Sequence, residues 1–315
     1  MTPAIGLVAL AGLDALLRAA SPGQRLGMLS NIRRATALLD GLGRDESARF
    51  RTVLHALEGL IPPAPPSEMP AGAPGSDHDY GDFLKLSRSV RFAWGPWTEP
   101  TEAGAFSPVL WALSEILARF GPTDPFSCIE IGAGTGSLGY AVAAARPRAD
   151  ILQTDLSLES LVMACLIQSG ERLILPRRVS FDREPDGIGW FAIEVPPPKR
   201  PIRHLPVSLP GEAEGADVVA AVNTLSLFPD PLEAARTAMR RVRPGGLFIW
   251  LDLLSWRVET PAARRVAGLD AMTDTVRAEG FRLLRKVSGI PYLEDWGFER
   301  EYRWTSHAVL AERPG

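Results

Sequence analysis

Only two cysteines occur in the 315 residues, Cys128 and Cys165. They make neither a disulfide framework nor a CxxC metal pair. Cys128 lies inside an apolar run and reads as a small buried hydrophobe. The four histidines, His55, His78, His204 and His307, lack metal-ligand spacing, so no metal site is expected. Charge of one sign is also missing. A formal net charge of -3 leaves no basic surplus for phosphate recognition, and Arg240-Arg241-Val242-Arg243 reads as a solvated helix face. Long hydrophobic runs are absent as well. The apolar stretch from Ile5 to Leu17 is interrupted by Asp14, lacks a basic segment ahead of it, and is too short to span a bilayer. It reads as a core helix. The chain is therefore expected in the cytoplasm, with neither membrane nor nucleic acid as partner.

What is present is an ordinary globular balance, 46% hydrophobic and 23% charged, in a chain long enough for one large domain and a smaller one. The first sixty residues read as three helices. Leu10, Leu13 and Leu17 recur at helical spacing. Ser21-Pro22-Gly23-Gln24 forms a capping box, in which the serine accepts the amide at Gln24 and the glutamine reaches back. Pro22 at the first helical position gives up an amide that has no partner anyway. Phe50, Val53, Leu54, Leu57 and Ile61 form one face of a third helix. These stripes should pack on each other, on the main domain or on a second copy, which allows a homodimer through residues 1–61.

Residues 62–79 are rich in proline, glycine and serine and read as a linker. From there to residue 315 the pattern is that of one domain. A helix begins at Ser107-Pro108 and stops at Gly121-Pro122. Short apolar strands then alternate with helices: strands at 126–131, 151–154, 217–222, 247–251, 281–287 and about 302–311, and helices at 137–145, 158–168, 231–242 and around 269–278. Such alternation predicts crossover units and a mainly parallel sheet, an α/β fold.

The segment that carries chemistry is Cys128-Ile129-Glu130-Ile131-Gly132-Ala133-Gly134-Thr135-Gly136-Ser137. An apolar strand runs into glycines at alternate positions and a helix follows at once. A turn this tight, with a ligand pressed on its backbone, needs residues without Cβ. The helix start then offers free amides and the positive end of its dipole. The dinucleotide fingerprint wants a third glycine at the sixth position, where Ser137 stands, so a nicotinamide enzyme is disfavoured. No Gly-Lys-Ser/Thr follows, which excludes a P-loop.

Glu-x-Gly-x-Gly-x-Gly closely resembles motif I of class I S-adenosylmethionine (SAM)-dependent methyltransferases. Three further segments resemble that family in order and spacing. Ile151-Leu152-Gln153-Thr154-Asp155-Leu156-Ser157 ends the second strand on an acid. Asn223-Thr224-Leu225-Ser226-Leu227-Phe228-Pro229 follows the fourth strand, and Val242-Arg243-Pro244-Gly245-Gly246 introduces the fifth. The resemblance covers about residues 126–312. It implies a doubly wound, mainly parallel seven-stranded Rossmann-like sheet with an antiparallel last strand, joined here to an N-terminal helical subdomain. It also implies SAM as cofactor and methyl transfer to a small molecule.

Carried over residue by residue, the resemblance places Glu130 near the methionine end of SAM and lets the backbone of Gly132, Ala133, Gly134, Thr135 and Gly136 approach the cofactor. Asp155, with Leu156 beside it, would take the ribose diol; a carboxylate accepts from both hydroxyls. Asn223 and Thr224 would border the methyl, although Asn223 also suits a plain turn. The family's third strand ends on an acid or amide that holds the adenine amine. Here residues of about 171–211 form instead a proline-rich insert, with Asp182 as the candidate for that role. Val179–Phe181 and Trp190–Ile193 around Asp186-Gly187 suggest a hairpin, either a lid or a surface excursion.

A sulfonium methyl is already activated, so alignment and exclusion of water do most of the work. A base is needed only where the acceptor must lose a proton. Asp252, at the end of the fifth strand, is a candidate on topology; His204 and Glu294 are others. Two aromatic groups, Tyr80, Phe92, Trp94 and Trp97, then Tyr292, Trp296 and Phe298, could line a pocket for a flat or apolar acceptor. They could equally attach the N-terminal helices to the sheet. Two other readings remain: SAM chemistry without methyl transfer, and a catalytically silent subunit that binds or stabilises a partner.

Overall fold

The structure, a computed structural model, describes residues 7–40, 45–62, 90, 93–94, 107–178, 188–211, 215–253, 268–295 and 301–315. Three helices open the chain, α1 (Leu7–Ala19), α2 (Pro22–Asp40) and α3 (Asp45–Leu60). The capping box closes as expected: Gln24 N donates to Ser21 Oγ (3.2 Å) and Ser21 N to Gln24 Oε1 (2.9 Å). The helices α4 (Ser107–Arg119), α5 (Ser137–Ala145) and α6 (Leu158–Gln168) alternate with β1 (Ser127–Ile131) and β2 (Asp150–Thr154). Then come β3 (Leu173–Arg178), β4 (Ile188–Ile193), β5 (Arg203–Leu205) and β6 (Ala216–Val222). The chain ends with α7 (Pro231–Met239), β7 (Val242–Asp252), α8 (Leu269–Ala278), β8 (Arg282–Asp295) and β9 (Glu301–Glu312).

Seven strands form one sheet in the order β5-β2-β1-β6-β7-β9-β8. The first five run parallel; β9 lies antiparallel between β7 and β8. Strands such as Ala216–Val222 are apolar almost throughout because helices cover both faces. Cys128, Val218, Ala220, Leu247 and Ile249 join the core under α4, α5 and α6. Ile129, Ile131, Val219, Phe248 and Trp250 join that under α7 and α8. The N-terminal stripes are covered within the chain. Leu13, Leu17, Met28, Ile32 and Leu54 are buried in the first of these cores, with α1 against α6 and β5, α2 against α6, and α3 against β3. Each such side chain contributes about 1.5–3 kcal/mol by leaving water.

The insert differs from expectation. Its hairpin exists as a separate two-stranded sheet, but β4 pairs with Leu173–Arg178 rather than with Val179–Phe181, and the connecting residues 179–187 lie outside the described residues. The strand that takes the sheet edge beside β2 is the three-residue β5, reached only after the hairpin. Asp182 falls in sequence between β3 and β4, outside the described residues, and the edge strand is β5. That strand runs into Leu205-Pro206-Val207-Ser208, which carries neither acid nor amide.

From β1 the chain steps outward through β2 to β5; from β6 it steps the other way to β7. The order reverses between β1 and β6, and the crevice beyond their carboxyl ends is where open α/β sheets bind ligands.

Candidate cofactor and active site

The glycine turn lies at that reversal. Gly132, Gly134 and Gly136 all have positive φ, at 64°, 53° and 82°. A Cβ on Gly132 would fall 1.8 Å from Thr224 Oγ1, because the turn after β6 presses on the turn after β1. A Cβ on Gly134 would meet nothing within 4 Å among the described residues. The amide of Gly134 donates to Asp155 Oδ2 (2.8 Å). Asp155 Oδ1 accepts from Ser157 N (2.8 Å), so the carboxylate is fixed by two backbone amides.

Beneath the turn runs a buried polar chain. Glu130 Oε2 accepts from Gly139 N (2.9 Å), in the first turn of α5, and from Gln153 Nε2 (2.7 Å). Gln153 Nε2 also donates to Gly136 O (2.9 Å), as does Gln168 Nε2 (3.2 Å), and Gln168 Nε2 reaches Gln153 Oε1 (3.1 Å). Burial pushes the Glu130 carboxyl up to about 7, against the hydrogen bonds from Gln153 and Gly139 that favour its charge. The two glutamines are functional neighbours that sequence reasoning missed. Gln153 stands two residues before Asp155, a buried amide directly after the apolar Ile151-Leu152, and that was the available signal.

On the other side of the reversal, Asn223 adopts a left-handed conformation (φ 53°), which Asn tolerates better than most residues. Its amide continues the ladder to Leu251 O (2.8 Å), and its side-chain Oδ1 is a buried acceptor without a hydrogen-bond partner among the described residues. A residue in a left-handed conformation with such a buried acceptor suits a ligand that brings a donor. Asp252, fully buried, holds this loop from β7: Oδ2 accepts from Ser226 N and Oδ1 from Leu253 N, both at 3.0 Å. Burial raises its pKa against those bonds.

A family model described as a methyltransferase domain matches residues 129–248, from the middle of β1 to the middle of β7. The chain carries a methyltransferase domain. The match includes all four motifs that resemble class I SAM-dependent methyltransferases, so the domain over these residues is that of a methyltransferase that uses SAM. Solved structures are similar at low identity. The YcgJ protein from Bacillus subtilis is 13% identical over 65% of this chain and 99% of its own, with a TM-score of 0.41. A SAM-dependent methyltransferase from Aquifex aeolicus is 14% identical over 73% and 96% (TM-score 0.38). Magnesium protoporphyrin IX methyltransferase from Synechocystis, solved with bound SAM, is 15% identical over 74% and 97% (TM-score 0.42). At such scores these structures carry no argument about substrate. No curated protein sequence matches.

Within the methyltransferase domain the remaining candidates fall in distinct places. Trp94 is buried against the glycine turn: its Nε1 donates to Thr135 O (3.2 Å) and Oγ1 (3.1 Å), and its ring packs on Tyr140 at 5.0 Å. Tyr80, Trp97 and Trp296, with Phe92 and Phe298, lie outside the described residues. His204 is set in β5 with Nδ1 3.3 Å from Cys165 Sγ under α1, and burial holds its pKa down at about 4. Beyond Asp252 and its partner His307, β7 stops while β8 and β9 continue as a pair, Ile290–Asp295 against Glu301–Ser306. Six residues of strand extend about 20 Å. This arm overhangs the carboxyl edge of the parallel strands and carries Tyr292 and Glu294. His307, at its root, has Nδ1 2.9 Å from Ser288 Oγ, a pairing that no sequence motif announced.

Proposed function

We propose that this methyltransferase transfers the methyl group of SAM to a small, flat or apolar metabolite at an oxygen, nitrogen or carbon atom, in the cytoplasm and without a nucleic-acid substrate. The observation that carries the reading is the crevice at the strand reversal. It is bounded by Gly134, the fixed carboxylate of Asp155 and the buried Asn223 acceptor. Asp155 would hold the ribose, Glu130 would act near the methionine end through the amides it fixes, and Asn223 with Thr224 would border the methyl. The chemistry SAM supplies is an electrophilic methyl; the chain's share is alignment and exclusion of water, worth about 7–11 kcal/mol when the geometry is right.

The overhanging β8–β9 arm supports a small acceptor. It puts Tyr292 past the strand ends, on the side of the sheet toward which β6 and β7 step, where it would wall a cleft rather than a flat surface. Asp252, whose oxygens are both engaged by amides, is better suited to holding the loop than to taking a proton. Titration of the purified protein with S-adenosylhomocysteine by calorimetry tests the cofactor site, alongside Asp155→Ala and Gly134→Leu. Micromolar binding by the native chain, lost or sharply weakened in both variants, is expected. Absence of binding by the native chain would overturn the reading.

A further inference from the structure

Gln24, in the first turn of α2, uses its whole side-chain amide. Oε1 accepts from Ser21 N and completes the helix cap, while Nε2 donates to Leu156 O and to Pro206 O, both at 3.0 Å. Leu156 follows Asp155 at the exit of β2, and Pro206 follows Leu205 at the exit of β5. One amide group from the N-terminal helices therefore bridges the exits of two neighbouring parallel strands. Asn31, two turns further along α2, makes a second tie: its Nδ2 donates to Glu159 Oε1 (2.7 Å), whose other oxygen is 3.4 Å from Ser157 Oγ. Segment 155–159 is thus held from α2 at both ends. The two bridged loops also carry exposed apolar side chains, Leu156 at 52% and Val207 at 37% exposure, in a chain whose large apolar residues are otherwise mostly covered.

We infer that Gln24 is a positioning residue for the adenosine end of the cofactor. By fixing the gap between the β2 and β5 exits it sets how Asp155, Leu156 and Val207 meet the nucleoside, and so makes cofactor affinity depend on the docking of the N-terminal helices. This rests on the cofactor reading above. The physical ground is preorganisation: the cap needs only the acceptor of the glutamine, whereas the bridge needs both donors, and a bridged pair of loops does not have to be ordered by the ligand.

The cap and the bridge can be separated. Gln24→Glu keeps an acceptor for Ser21 N and turns the donor toward the two carbonyls into a carboxylate oxygen. Ser21→Ala weakens the cap and leaves the bridge. Gln24→Lys restores donors without an acceptor. Binding of S-adenosylhomocysteine to each full-length variant is measured by calorimetry, with thermal melting of the ligand-free proteins beside it. Gln24→Glu should raise Kd about tenfold, as loss of hydrogen bonds worth about 1–1.5 kcal/mol implies. Gln24→Lys and Ser21→Ala should stay within about threefold of native. If Gln24→Glu does not fold, Gln24→Ala takes its place with the same expectation. Native-like affinity in the bridge variant, or an equal loss in Ser21→Ala, overturns the inference while leaving the cofactor site standing. Failure of the native chain to bind overturns both.

Discussion

Thr224 fills the space in which any side chain on Gly132 would have to lie: a Cβ there would come within 1.8 Å of Thr224 Oγ1. The exits of β1 and β6 are therefore in direct contact at the strand reversal, whereas a Cβ on Gly134 would meet no described residue.

Alanine substitution of these two glycines should separate folding from binding. Both have left-handed φ, so both variants carry strain of about 1–2 kcal/mol. Only Gly132→Ala adds a collision, and it should be the less stable in urea unfolding by a further ~1–3 kcal/mol, the usual cost of overpacking. Gly134→Ala should lose only the stability that this strain costs and bind S-adenosylhomocysteine more weakly, since on the cofactor reading its methyl stands where the ligand approaches. Equal destabilisation of the two variants would show that the Thr224 contact is not what requires glycine.

Glu130 should make the protein less stable toward alkaline pH. Its folded pKa of about 7 lies above the ordinary 4.5. Between these values the folded chain keeps a proton that the unfolded chain has released, so stability falls as pH rises through this window and the loss is complete above about 7. A shift of this size corresponds to roughly 3 kcal/mol. Glu130→Gln keeps an acceptor for Gly139 N and Gln153 Nε2 without the ionisation. It should match or exceed native stability at pH 8 and lose that advantage below pH 5. On the cofactor reading above, the same variant should bind SAM less well at pH 8, where the native Glu130 is charged. An unchanged pH profile would assign the slope to another group.

The pH dependence at His204 has the opposite sign. Burial depresses its pKa from 6.5 to about 4. Below 6.5 the unfolded chain takes up a proton that the folded chain refuses, so stability falls as pH drops toward 4. His204→Gln should flatten this acid limb in melts between pH 4 and 6.5 and leave S-adenosylhomocysteine binding at pH 8 unchanged. Loss of cofactor or acceptor binding instead would move His204 from the packing beneath α1 into the active site.

What could be read from the sequence follows the distance over which each feature is decided. The turn from β1 into α5 and the cap at Ser21 are settled by residues within four positions of each other, and both stand in the structure as expected. The edge strand β5 was not legible. Arg203-His204-Leu205 is too short to show periodicity, is preceded and followed by prolines, and becomes a strand only because β2 offers it an edge. The hairpin is legible but its first arm is displaced: it is Leu173–Arg178, which contains Pro176, a residue tolerated in a two-stranded sheet. Gln24 was half legible. Its cap is local, whereas the carbonyls it bridges lie 132 and 182 residues away.

Trp94 and Tyr292 should report on different ligands. Trp94 touches the glycine turn through its indole N–H, so Trp94→Phe keeps most of the packing on Tyr140 and removes the bonds to Thr135. A loss of about 1 kcal/mol, near fivefold in Kd for S-adenosylhomocysteine, is expected. Tyr292 stands on the β8–β9 arm beyond the last residue of β7, away from the turn. Tyr292→Ala should leave that Kd unchanged and raise the KM of the acceptor, because an arm that walls the acceptor contributes to its binding and not to the cofactor's. If both variants shift the cofactor constant alone, the arm does not line the acceptor pocket, and a wall for a flat substrate must be sought on the approach to α4.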